Sequence, residues 1–120
     1  MQQKIYFNSR DRLIRLDVHS IVFFEGEGNY TYMVTVNKLK TCLTMNLSHV
    51  EEALATQLRE SADLMMRVGK RFIVNINYIY QVDILKQELI LSDCEHFVYK
   101  LNVSKEALKK VKELMLITKI

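Results

Sequence analysis

The stretch Arg67-Val68-Gly69-Lys70-Arg71-Phe72-Ile73-Val74-Asn75 limits this chain's fold more than any other. Three cations and no acid surround a glycine, and the backbone then runs straight into an aromatic and β-branched segment that reads as a buried strand. The result is a cationic loop on a stiff strand. A sheet orders the backbone, so such a loop presents charge with little further entropy loss, which suits a polyanion held at a fixed distance from a rigid scaffold. Nucleic acid is the leading partner.

At 120 residues and 49% hydrophobic content the chain is long enough for one core, and a single domain over residues 1–120 is the expectation. The net charge of +3 is too small to identify a nucleic-acid binder alone, but its distribution is uneven. Arg67, Lys70 and Arg71 form one basic segment, and Lys105, Lys109, Lys110, Lys112 and Lys119 dominate the tail. Glu51, Glu52, Asp83, Glu88, Asp93 and Glu95 lie elsewhere, which implies a dipolar surface if the basic segments share a face. Cys42 and Cys94 form no CxxC pair and read as reduced thiols. No apolar run resembles a signal peptide or reaches bilayer length, so a soluble cytoplasmic protein is expected.

Along the chain, Ile5-Tyr6-Phe7 and Leu13-Ile14-Arg15-Leu16 flank the polar corner Asn8-Ser9-Arg10-Asp11 and read as a hairpin. Val18 to Phe24 is dense enough in apolar residues to be covered on both faces, or to be a short turn entering a strand. Glu25-Gly26-Glu27-Gly28-Asn29 reads as an interruption where the backbone bulges or turns. Tyr30 to Val36 and Leu39 to Met45 are strands around an Asn37-Lys38 turn. Ser48 and Glu51 match a capping box for a helix whose core stripe holds Val50, Leu54 and Leu58. Beyond the Phe72 to Val74 strand, Asn75 and Asn77 mark a turn. Val82 to Leu91 reads as a hairpin with its tip at Lys86-Gln87-Glu88, Ser92 to Glu95 as a polar corner, and His96 to Leu101 as a strand. Ser104 caps a last helix with Ala107, Leu108, Val111, Leu114 and Met115 on its apolar side.

Catalytic patterns are weak. Glu25 and Glu27 would share a strand face, but no histidine or lysine is placed by sequence to polarise them. Gly26-x-Gly28 lacks the rest of a dinucleotide pattern and Gly69-Lys70 the upstream glycine of a phosphate loop. His19, His49 and His96 have no metal-ligand spacing. A non-enzyme without a cofactor or metal is therefore expected. The tyrosines at 30, 32, 78 and 80 suit a base-stacking platform, or, more commonly, one packed face of a sheet.

Several segments in order, Val22-Phe23-Phe24-Glu25-Gly26-Glu27-Gly28-Asn29-Tyr30-Thr31, Leu47-Ser48-His49-Val50-Glu51-Glu52-Ala53-Leu54, Met66 to Asn75, and Val103-Ser104-Lys105, resemble the LytTR DNA-binding domain of bacterial transcriptional regulators. The likeness covers nearly the whole chain. It implies a mainly β fold of stacked antiparallel sheets in an elongated body with one or two short helices, and an output module of response regulators in two-component systems. It also implies loops that enter successive major grooves of double-stranded DNA, with two copies on repeated half-sites. Carried onto this sequence, Asn29 or Tyr30, Lys70, and Lys105 beside Ser104 become base-facing candidates. Arg71 and Arg67 become phosphate contacts, although Arg67 could equally be structural at its strand start. Two positions depart from the family. Gly69 stands where histidine is frequent, and Lys105 where arginine is frequent, so readout there is softer because lysine lacks the planar fork. The receiver domain often found ahead of this module is not in the chain, which reads as a fragment or as a stand-alone regulator with another input. The alternative from a different class is a protein-interaction or dimerisation module that pairs through sheet edges.

Overall fold

In the computed structural model, which describes residues 3–118, the polar corner after Phe7 turns the chain back on itself as expected. Strands β1 (Lys4–Asn8) and β2 (Leu13–Asp17) pair antiparallel with Phe7 opposite Ile14, and the turn closes through the Ser9 N–H on the Arg12 carbonyl at 2.8 Å. The dense segment that follows resolves in favour of a turn entering a strand. Val18–Ser20 forms one 3-10 turn, capped by Asp17, which accepts from the His19 N–H. The strand β3 (Ile21–Glu27) then begins with Ile21, Val22, Phe23 and Phe24 all buried.

β3 continues through Glu25-Gly26-Glu27, where the sequence suggested an interruption; only Gly28 and Asn29 leave it. Gly28 has φ +61°, the left-handed conformation glycine adopts most cheaply at the first central position of a two-residue hairpin. Strand β4 (Tyr30–Thr35) returns, and β5 (Lys40–Leu43) follows after a turn closed by the Thr35 hydroxyl on Asn37. With β6 (Met65–Val68) and β7 (Phe72–Asn75) these form a five-stranded antiparallel sheet in the order β5-β4-β3-β7-β6. Side chains alternate across it. Phe24, Met33, Leu43 and Ile73 join Ile5, Phe7 and the helix over residues 47–58 in one core, while Phe23, Val34 and Val74 are buried as well.

Helix α1 (Leu47–Leu58) buries Leu47, Val50, Leu54 and Leu58. Its cap is Asn46, not Ser48: the Asn46 side chain accepts from the His49 N–H at 2.9 Å, so the helix starts two residues earlier than the capping-box reading and Ser48 lies inside the first turn. Asn46→Ala is expected to cost about 1 kcal/mol of stability and Ser48→Ala much less, as denaturant midpoints of the two variants will show. Gln57 donates to the Tyr6 carbonyl and accepts from the Tyr6 N–H, both at 2.8 Å. That exchange satisfies open backbone on the β1 edge. Asn75, fully buried, donates to the Ile21 carbonyl at 3.0 Å and accepts from the Asn77 N–H, which ends β7 where the sequence suggested a turn.

The described residues divide into two compact units, one running through Asn77 and one beginning at Tyr78. The second holds β8 (Ile79–Asp83), β9 (Glu88–Ser92) and β10 (Val98–Asn102) in a three-stranded antiparallel sheet, followed by helix α2 (Lys105–Thr118). The β8–β9 tip lies at residues 84–87, slightly earlier than expected, because Asp83 accepts from the Lys86 N–H and starts the turn. Leu89, Leu91, Phe97, Leu101, Val103, Leu108 and Val111 are buried here. Leu114, expected on the apolar stripe, is 46% exposed; full burial along the helix stops at Val111.

The corner after β9 is organised by Asp93, whose carboxylate accepts from the backbone N–H groups of Glu95, His96 and Phe97 and faces the His96 ring at 2.8 Å. Burial acts to raise its pKa, but these donors outweigh it and hold the carboxyl well below the usual range. A depressed carboxylate contributes stability that is present above its unfolded pKa of about 3.9 and is lost as pH falls towards the folded value. Asp93→Asn is therefore expected to lower the thermal midpoint near neutral pH. The gap from the parent protein should begin to narrow as pH falls below about 4 and go on narrowing towards the much lower folded value, because the folded carboxylate keeps its charge after the unfolded one has taken up a proton.

Candidate nucleic-acid interface

The pairing of β3 with β7 decides where the basic turn lies. Phe23 stands opposite Val74, Phe24 opposite Ile73 and Glu25 opposite Phe72. One step further, the Gly26 N–H donates to the Arg71 carbonyl at 2.8 Å, and the same antiparallel register leads from Glu27 to Lys70. The β3–β4 turn with Asn29 and the β6–β7 turn with Lys70 thus lie side by side at one end of the sheet. They are separated by forty residues of sequence and joined by one strand pairing.

The start of α1 comes to the same end. The Thr31 hydroxyl donates to the Met45 carbonyl at 2.8 Å, just ahead of the helix. A Cβ built on Gly26 would stand 3.0 Å from the Leu47 Cβ, so the lack of a side chain at residue 26 lets the helix approach β3. The small residue was visible in the sequence; the reason for it was not.

The cations of the basic stretch have different surroundings. Arg67 turns its guanidinium back over its own turn, donating to the Gly69 carbonyl at 3.2 Å, the Lys70 carbonyl at 3.0 Å and Glu51 on α1 at 2.9 Å. Arg71 pairs with Glu25 at 2.8 Å while its side chain stays 61% exposed. Lys70 is exposed and makes no ion pair among the described residues. The stretch has no acid of its own, but the fold supplies two, Glu25 and Glu51; of the acids expected to lie apart from the basic segments, Glu51 does not. No local pattern in the sequence ties Glu25 to Arg71 or Glu51 to Arg67.

Asn29 is exposed in its turn and Tyr30 is 52% exposed at the first residue of β4. Tyr32, two residues on and on the same strand face, lies under the Lys40 ammonium at 4.5 Å. Tyr78 and Tyr80 belong to the second unit, where Tyr78 meets the edge of Phe97 at 5.3 Å. The four tyrosines are therefore not a single stacking surface built on one sheet. Also in the second unit, the Ser104 hydroxyl accepts from the Ala107 N–H at 3.2 Å, so Ser104 caps α2 as expected and Lys105 is the exposed first residue of that helix.

Residues 11–116 match the family model of the LytTr DNA-binding domain. The chain belongs to this family, which makes it a DNA-binding domain of transcription regulation. It is 29% and 28% identical over 114 residues to two proteins of Paraburkholderia xenovorans (strain LB400), the heme-containing CO-sensing transcriptional regulators RcoM 1 and RcoM 2; each match takes in 93% of this chain and 39% of the relative. The chain thus spans about two fifths of the length of these curated relatives. Among solved structures, it superposes with a TM-score of 0.64 and 19% identity on a LytTr DNA-binding domain from a Bacillus cereus protein described as a methyl-accepting/DNA response regulator, covering 94% of this chain and 96% of that one. That likeness bears on the fold, which is mostly β with three antiparallel sheets and two α-helices among the described residues.

Proposed function

We propose that this domain reads a specific double-stranded DNA sequence by setting the Asn29 and Lys70 turns, and the start of α2 at Lys105, into successive major grooves. Asn29 or Tyr30, together with Lys70 and Lys105, faces base edges, Arg71 adjoins a phosphate, and Ser104 holds the helix start that carries Lys105. Two copies occupy repeated half-sites, and the protein acts on transcription in the cytoplasm, with a receiver or sensor partner supplying the signal. The observation that carries this reading is the β3–β7 register, which brings an amide side chain and an ammonium with no ion-pair partner among the described residues to adjacent turns on a stiff sheet. Amide and ammonium groups are the donors that pair with purine edges in the major groove, and rigid elements keep the entropy loss on binding small.

Cations that displace condensed counterions provide affinity, and the few side chains at base edges provide preference. Selection from a random duplex library followed by footprinting tests the proposal. The expected outcome is one enriched motif, repeated at a helical spacing, whose binding weakens steeply with salt. Lys105→Ala is expected to bind that motif less selectively, losing about 1–3 kcal/mol at one base pair. Enrichment of no motif, or association insensitive to salt, would favour the protein-interaction alternative.

A further inference from the structure

We infer that Glu51, and with it Glu25, are positioning residues for DNA reading: they hold Arg67 and Arg71 as braces of the β6–β7 turn, so that Lys70 is the one cation of that turn presented to the bases. The inference rests on the DNA-reading proposal and concerns residues whose charge would by itself oppose binding. Its basis is the way the two guanidinium groups are used. Arg67 bridges three acceptors, the carbonyls of Gly69 and Lys70 and the Glu51 carboxylate, and its side chain is only 29% exposed. A guanidinium with two donors on successive carbonyls of a turn fixes the path of that turn, and its third partner ties the turn to a helix.

The second brace crosses the sheet. Glu25 Oε2 holds Arg71 at 2.8 Å, next to the Gly26 N–H bond to the Arg71 carbonyl. Glu25 belongs to the strand that leads into the Asn29 turn, so this pair links the two reading turns to each other, as the Arg67 network links the Lys70 turn to α1. Restricting the turn in advance lowers the ordering cost on binding. The advantage goes to the cognate site, where Lys70 must meet one base, and not to nonspecific DNA, where any nearby phosphate serves.

The test compares the full chain with Glu51→Gln, Arg67→Lys and Arg67→Ala on two duplexes, the footprinted motif and a scrambled duplex of equal length, across a salt series. Glu51 is half exposed, so Glu51→Gln should unfold at the parent midpoint. Removing a negative charge beside DNA raises affinity for both duplexes alike if Glu51 acts only through its field. Positioning gives the opposite sign on the motif: about a fivefold loss of specific affinity, the size of one modest interaction, with nonspecific affinity unchanged or higher. Arg67→Lys keeps the charge but replaces the planar fork, whose three nitrogens each meet a different acceptor, by a single nitrogen, and should show the same narrowed ratio. Arg67→Ala should narrow it too, at an unchanged salt slope, whereas a phosphate contact by Arg67 lowers the slope by about one. A specific-to-nonspecific ratio for Glu51→Gln equal to that of the parent, or a lowered slope for Arg67→Ala, overturns the inference. Failure of the parent to prefer any duplex overturns the underlying reading instead.

Discussion

Lys70→Ala should bind the selected duplex about 1–3 kcal/mol more weakly than the parent protein, a loss of roughly five- to 150-fold, while unfolding at nearly the same denaturant concentration. The two halves of this expectation have separate causes. Lys70 is exposed and has no ion-pair partner among the described residues, so its removal touches no packing, and surface changes of this kind stay within about 0.5 kcal/mol. In binding, no neighbour can substitute for it. Arg67 is engaged with Gly69, Lys70 and Glu51, and Arg71 with Glu25. Equilibrium titration on the motif, with a urea melt of the same preparation, measures both. Equal affinity for parent and variant would remove Lys70 from the reading set.

Phe24→Ala should have the largest effect on stability, about 3–5 kcal/mol. Phe24 is completely buried, meets Phe7 edge-on at 5.9 Å and sits in β3 between Met33 and Ile73. It joins the β1–β2 hairpin, the central strand pair and α1 in a single core. Truncation leaves a cavity that a close-packed interior fills only in part. Because β3 carries both the Asn29 turn and the Gly26 link to Arg71, DNA binding should fail over the same denaturant range in which the sheet melts. Denaturation followed by intrinsic tyrosine signal and by duplex binding should give coincident curves displaced to lower denaturant. A loss below about 1 kcal/mol would mean that the site collapses around the gap.

Much of this was legible because the information was local. The Asn8–Asp11 corner between two β-rich runs, the Asn37-Lys38 turn and the Ser104 cap each specify structure within a few residues. Where two local signals competed, the weaker one won some of the time: Asn46 took the cap that Ser48 and Glu51 suggested, and Glu25-Gly26-Glu27 stayed in β3 because its pairing with β4 and β7 outweighs the turn tendency of glycine. In the proposed site, Asn29, Lys70, Arg71 and Lys105 could be named from residue type and from likeness to the family. Their surroundings could not. Glu25 and Arg71 are forty-six residues apart, and Glu51 and Arg67 sixteen; only the sheet order and the packing of α1 join them. Gly26 likewise gains its meaning from Leu47, which no pattern in the sequence ties to it.

Dimethyl sulfate interference on the footprinted motif tests the groove assignment most directly, since methylation at guanine N7 blocks the major groove and methylation at adenine N3 the minor. Strong interference at guanine N7 in each half-site is expected, with the signal at one position lost in Lys70→Ala. Interference confined to adenine N3, or a pattern identical in parent and variant, would contradict a turn that reads base edges through Lys70.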